Sequence, residues 1–181
     1  MKNAKHIFKL TFTLLLICAI VAAALAGVDA ITSPIIAQRN AEKTQAAIET
    51  VLPGGGVLID TPAVEAEAAI GKVYKGENGY AVEVLPSGFD NTITMMVGVD
   101  FEGKVLGISV VSHTETAGLG AVAAENTSKG EAFRAQFVGT SGSVAVSKDG
   151  GEIDSITGAT ITSRAVCAGV NAALTCVAGL G

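Results

Sequence analysis

Five hydroxyl side chains fall within nine positions near the end of the chain: Ser155, Thr157, Thr160, Thr162 and Ser163. They belong to the stretch DSITGATITSRAV, Asp154 to Val166, which leads into an apolar pattern with helical spacing. A helix N-terminus offers several unpaired backbone N–H groups and about half a unit of positive charge, which suits phosphate. One hydroxyl or carboxylate there serves as an N-cap, and Asp154 or Thr157 could be only that. Three or four hydroxyls exceed what one cap requires, and Gly158-Ala159 keeps the turn slim enough for a bulky group to approach. The stretch reads either as a richly capped helix or as a seat for a phosphate-bearing ligand.

A second polar segment, SHTETAGLG from Ser112 to Gly120, leaves a strand-like run with His113 and Glu115 expected to point the same way. It passes Thr114 and Thr116 and then turns on Gly118 and Gly120. Such a loop at a sheet edge could grip a ligand through backbone amides, or its side chains could simply satisfy one another. Other candidates are weaker. GLGAVAA lacks the third glycine and the preceding βαβ unit of a dinucleotide fingerprint. PGGGVLIDT lacks the lysine of a phosphate-binding P-loop. Glu65 and Glu67 sit in an Ala-rich stretch that reads as a solvated face. With two His and three Cys in no cluster, a protein-only zinc or iron–sulfur site is not expected. Cys167 and Cys176 lie on opposite sides of the last helix, about 13 Å apart along its axis, and read as small buried apolar residues.

These segments need a scaffold. Leu10 to Val28 is an uncharged run of nineteen residues preceded by Lys2, Lys5 and Lys9. At ~1.5 Å per residue it approaches the ~30 Å hydrocarbon thickness of a bilayer. The lysines before it and Asp29 after it orient the N-terminus to the cytoplasm and everything from about Ala30 outward. Ala24 to Ala26 resembles a leader cleavage site, but the run is long for a leader and the following segment continues as helix, so a retained anchor is expected. Ile17 is too bulky for the position before a lipidated Cys18. A linker helix is expected to open at Pro34 and stop at Leu52-Pro53.

Beyond the PGGG turn the chain is punctuated by glycine and carries short alternating runs. Gly79 to Pro86 reads as a strand, and Thr92 to His113 as a hairpin whose Ile93, Met95, Val97 and Val99 share a face. Gly130 to Gly139 reads as a short helix, and Ser143 to Ile156 as another hairpin. The final helix carries Ile161, Ala165, Ala168 and Ala172 at helical spacing. The fold class is α+β: one N-terminal transmembrane helix, then an antiparallel sheet with flanking helices. The expected divisions are 1–30 for the cytoplasmic tip and membrane helix, 31–53 for the linker helix, and 54–181 for the outer domain. A net charge of −5, no Trp, two Tyr and no basic run beyond the extreme N-terminus argue against a nucleic-acid partner.

DSITGATITS resembles the flavinylation motif, Asp-x-x-Ser/Thr-Gly-Ala-Thr/Ser, of FMN-binding domains. In that family a flavin transferase joins FMN through its phosphate to the last Thr of the motif, which here is Thr160. Asp154, Thr157, Gly158 and Ala159 fill the other motif positions. SHTETAGLGA is similar to the His-x-Glu-Thr-Pro-Gly-Leu-Gly loop of the G subunit of the Rnf ion-translocating electron-transfer complex. VLPGG, GYAVEV, MMVGVDFEGKVLGISVVSHTET and FRAQFVG match in order, so the resemblance covers nearly the whole chain. Ala117 stands where that family usually has Pro, which removes a fixed φ from the loop.

The resemblance implies covalent FMN on Thr160, bound also by Asp154, Thr157, Gly158, Ala159, Thr162, Glu115, Thr116, Gly118, Leu119 and Gly120. It implies a single-pass component of the cell membrane that relays electrons during ferredoxin:NAD oxidoreduction coupled to Na⁺ or H⁺ translocation, with no substrate pocket of its own. Its partners would be the other membrane and iron–sulfur subunits of the complex, the flavin transferase during maturation, and membrane lipid. The C subunit of the sodium-pumping NADH:quinone oxidoreductase shares the motif. An anchored flavin-binding sensor outside any ion pump is the other alternative. The HTETAGLG spelling and the 181-residue length favour the Rnf protein.

Overall fold

The computed structural model describes residues 2–62 and 65–180. The side chains of Lys2 and Lys5, two of the charges expected before the apolar run, lie outside the described part. The chain divides into two compact units, Met1–Glu42 and Lys43–Gly181.

The first unit is helix. Helix α1 spans Lys2–Val51, and an 18-residue stretch within Phe8–Val51 reaches a mean hydropathy of 2.6 with none of it buried. It is long and apolar enough to cross a membrane. Pro34 does not open a separate linker helix, as its position suggests, but sits inside α1. A proline there removes one backbone donor. The helix-forming residues on both sides carry the helix across that gap, because propagation adds a bond per residue while a new nucleus is costly.

The second unit is built on a five-stranded sheet: β1 (Val57–Ile59), β2 (Ala69–Lys75), β3 (Gly79–Leu85), β4 (Thr94–Asp100) and β5 (Val105–Ser112). The strands lie in chain order and every neighbouring pair is antiparallel. The expected strand at 79–86 and hairpin at 92–113 are β3 and β4–β5. The short helix expected at 130–139 is α2, Ser128–Ala135, capped by the Thr127 side chain accepting from the Gly130 amide. The last helix is α3, Thr160–Ala178.

Strand β4 is buried on both faces. Met95, Val97 and Val99 join Val166, Val170, Ala173 and Cys176 of α3 in the main core. Met96, on the opposite face, packs with Ala47, Ile48, Val51 and Leu52 from the end of α1. Glycine makes the second layer possible. A Cβ on Gly98 would overlap the Val51 carbonyl oxygen, so only a bare backbone admits the helix end there. On the α3 side Gly169 plays the same part, where a Cβ would meet Met95, Pro86 and Val84.

Two expectations need correcting. Ser143 to Ile156 is not a hairpin: it forms a 3-10 turn at Ser147–Asp149 and a parallel bridge between Val146 and Ile153. Both of those side chains are buried in the core, and the arms pair in parallel, the Ser147 amide donating to the Ile153 carbonyl and the Ile153 amide to the Ala145 carbonyl, with Gly151 close against that carbonyl. The buried side of α3 is also broader than the Ile161, Ala165, Ala168, Ala172 line, since Ile161 is exposed and Ala168 only half-buried. Thr162, Ser163, Val166, Val170 and Ala173 turn inward instead. Although α3 is apolar enough to suggest a membrane span, 67% of its most apolar stretch is buried in this domain, which makes it a core helix. Cys167 and Cys176 are both buried free thiols, as expected.

Candidate functional site

Four segments converge at the mouth of α3: the loop from Gly88 to Thr92 between β3 and β4, the loop after β5, the 3-10 turn at Ser147–Asp149, and the first turn of α3. They enclose a cleft of about 310 Å³ lined by Phe89, Glu115, Thr116, Leu119, Gly120, Lys148 and residues 158–162.

The loop after β5 closes on itself. The amides of Leu119 and Ala121 both donate to the Thr116 carbonyl at 3.1 Å, and Gly118 takes φ +73°, a conformation that favours glycine. Chain alternation ends at Ser112, so His113 and Glu115 do not share a direction. His113 lines a separate groove beside the end of α1, and its Nδ1 is buried without a hydrogen-bond partner among the described residues.

Glu115 is buried and holds the site together. Its Oε1 accepts from the Phe89 amide at 2.8 Å and the Asp90 amide at 3.3 Å, while Thr162 donates its hydroxyl to Oε2 at 2.5 Å. Gly88 and Gly120 flank this carboxylate so tightly that a Cβ on either would overlap it. One side chain thus joins the 88–90 loop, the 116–120 turn and α3.

The hydroxyl cluster divides by what each oxygen does. Neither Asp154 nor Thr157 caps α3: the cap position is Ala159, without a side-chain hydrogen bond among the described residues. Ser163 is fully buried, accepts from the Ile156 amide and donates to the Ala159 carbonyl. That bond folds the incoming turn back onto the helix and leaves the first amides of α3 free of a side-chain cap. Thr162 is spent on Glu115. Thr160, half-buried at the first position of α3, accepts at Oγ1 from the Lys148 ammonium at 2.9 Å and donates to no acceptor among the described residues. Asp154 and Thr157 are exposed and line a neighbouring cleft together with Gly118. The site residues expected from the sequence are therefore brought together in part. Thr160, Gly158, Ala159, Thr162, Glu115, Thr116, Leu119 and Gly120 share one cleft, and Asp154, Thr157 and Gly118 line the next.

Sequence reasoning missed Phe89, Ile161 and Lys148. Phe89, Leu119 and Ile161 are 66%, 42% and 49% exposed, an unusual set of open apolar side chains around one mouth. Lys148 was hidden in the expected second hairpin. It is held in place by its neighbour Asp149, whose carboxylate receives two bonds of 2.7 Å from Arg164, one turn into α3. That guanidinium, chiefly through its hydrogen bonds, holds the Asp149 carboxyl below the usual carboxylate range.

Chemically the cleft offers an ammonium and helix amides without a side-chain cap among the described residues at one end, the Thr160 hydroxyl between them, and an open apolar rim. These residues fit a phosphorylated aromatic ligand. The class follows from comparison: the family model of the FMN-binding domain matches residues 88–175, from Gly88 through most of α3. FMN is such a ligand.

Over nearly its whole length the chain is similar to G subunits of ion-translocating oxidoreductase complexes. It is 33% identical to the G subunit of the Na⁺-translocating ferredoxin:NAD⁺ oxidoreductase complex of Acetobacterium woodii, covering 92% of this chain and 89% of that one. It is 34% identical to the proton-translocating counterpart of Clostridium ljungdahlii, over 96% and 92%. It is 30% identical to the G subunit of the ion-translocating oxidoreductase complex of Methanosarcina acetivorans, over 96% of both. The chain belongs to the G-subunit family of the Rnf ion-translocating oxidoreductase complex.

Proposed function

We propose that this chain is the electron-carrying, membrane-anchored G subunit of a ferredoxin:NAD oxidoreductase complex that translocates Na⁺ or H⁺, with FMN joined through its phosphate to Thr160. Bound there, the flavin supplies reversible uptake and release of electrons. The chain's own residues supply position. Gly158 and Ala159 keep the approach to Thr160 narrow, and Thr162 and Glu115 fix the cleft floor. Thr116, Leu119 and Gly120 form its wall, and Asp154, Thr157 and Gly118 complete the binding loop from the adjoining cleft. Residues 1–30 hold the chain in the membrane with the N-terminus cytoplasmic, 31–53 link, and 54–181 work outside. The partners are the other membrane and iron–sulfur subunits, lipid, and a flavin transferase during maturation.

The observation that carries the reading is the division of labour among the hydroxyls. Thr162 and Ser163 donate to protein acceptors, whereas Thr160 faces the cleft with a cation on its oxygen. The test is mass spectrometry of the tryptic peptide ending at Arg164, from chain made alongside the transferase. An FMN adduct is expected on Thr160, lost in Thr160→Ala and kept at least in part in Thr160→Ser. An adduct mapped to Thr157 or Thr162, or one that survives Thr160→Ala, defeats the assignment.

A further inference from the structure

We propose that Lys148 is the counter-ion of the phosphodiester at Thr160, held in position by the Asp149–Arg164 pair; this rests on the covalent FMN reading above.

Four of the eight Lys and Arg residues of the second unit have a charged, carbonyl or aromatic partner, and Lys43, Lys72 and Lys129 are exposed with no side-chain bond among the described residues. Lys104 pairs with Glu102, and Arg164 with Asp149. Arg134 donates to the carbonyls of Ala123 and Glu125, and Lys75 lies over the Tyr80 ring. Lys148 differs. Its one side-chain hydrogen bond among the described residues goes to a neutral hydroxyl, Thr160 Oγ1 at 2.9 Å, so the ammonium lines the cleft without a hydrogen-bonded counter-charge. The adjacent carboxylate acts on it only through space, since the hydrogen bonds to both Asp149 oxygens come from Arg164.

The placement is built. Val146 is buried at the start of the 3-10 turn, Gly150 closes the turn at φ +85°, and Asp149 is tied to Arg164. Residues 148 and 149 therefore meet residues 160 and 164, successive turns of α3, as a two-point clip.

Attachment changes the charge at this spot. The Thr160 oxygen forms a bond to phosphorus and its proton passes to solvent. The phosphoanhydride bond of an activated FMN donor breaks, and the remaining phosphate leaves with the bonding pair. A neutral hydroxyl becomes a diester with one negative charge, within reach of the ammonium already bonded to its oxygen. Lysine suits this role as a point charge, and hydrogen bonds to ionised groups are roughly twice as strong as neutral ones.

The test follows the fluorescent, flavin-bearing band over time for wild type, Lys148→Met, Lys148→Arg and Arg164→Gln, with transferase and flavin donor supplied. Lys148→Met should load at least about tenfold more slowly, Lys148→Arg within about threefold of wild type, and Arg164→Gln between them. In loaded protein the phosphorus resonance should move in Lys148→Met. Lys148 is exposed, so the melting temperature of the unloaded variants should stay near wild type. Equal loading of Lys148→Met and wild type overturns the inference. So does slow loading with an unmoved phosphorus resonance, since the lysine would then serve the transferase and not the phosphate. A wild-type chain that never loads removes the covalent reading itself, and this inference with it.

Discussion

Glu115 shows how one residue can define a site without doing its chemistry. Its two carboxylate oxygens accept from two amides and one hydroxyl in a buried setting, so removing it strands three donors. Leaving buried polar groups unmet costs about 1–3 kcal/mol each before relaxation, and water entering the cleft recovers part of that. Glu115→Ala should therefore destabilise the folded chain by roughly 2–4 kcal/mol. Glu115→Gln keeps a carbonyl for the amides, and Thr162 can turn to accept from its NH₂, so a smaller loss is expected. Chemical denaturation of the purified variants measures both. If Glu115→Ala unfolds like wild type while its flavin spectrum changes, the carboxylate serves the ligand and not the loops. The sequence disclosed Glu115, Thr160 and Thr162 because each belongs to a motif whose spacing carries meaning. It did not disclose Lys148, since a lone lysine has no period and its place depends on a pair, Asp149 and Arg164, joined only in the folded chain.

The same distinction holds between elements. The β4–β5 hairpin was legible because alternation and a turn suffice to specify it locally. The end of α1 against the other face of the sheet was not, although it left traces in Gly98 and in an apolar residue at every position from Met95 to Val97. Two-sided burial erases the alternation by which a strand face is read. The Ser143–Ile156 segment failed for the opposite reason: it has strand-like residues, but its arms meet in a parallel bridge, with Gly151 close against Ala145, which no hairpin template contains. The packing of α1 is testable through its closest approach. Gly98→Val should displace the helix end, because even a Cβ would overlap the Val51 carbonyl, and should cost about 2–4 kcal/mol. Leu52→Ala, at a fully buried position, should cost ~2–5 kcal/mol from the opposite partner. Hydrogen exchange of the amides from Ala47 to Leu52 reports whether that helix end has lifted. Unchanged protection in Gly98→Val would mean the end of α1 is not seated on β4.

For the molecule as a whole, the consequential expectation is orientation, because a flavin outside the cytoplasm must be tethered or be lost. The charges before the apolar run favour a cytoplasmic N-terminus. Ser147, exposed on the turn beside the cleft, is a suitable reporter. The native thiols of the second unit will not compete. Cys167 and Cys176 are buried, and burial, the main cause, pushes Cys167 up to about 11 and raises Cys176 as well. At neutral pH neither thiol supplies the reactive thiolate. Cys167 also gives the labelling an upper pH limit. Its folded pKa lies above the ordinary thiol value of 9.0, so the stability of its neutral form is intact below that value and lost as pH rises towards about 11. Cys18 is exposed on the apolar helix and is best replaced by Ser in the labelled chain. In intact cells at neutral pH, Ser147→Cys should then react with a membrane-impermeant thiol reagent, and the Cys18→Ser parent should not. Labelling that appears only after lysis would put the FMN-binding domain in the cytoplasm. A covalent tether could then no longer be explained by loss of flavin to the exterior, and Thr160 attachment would need a redox or assembly rationale instead.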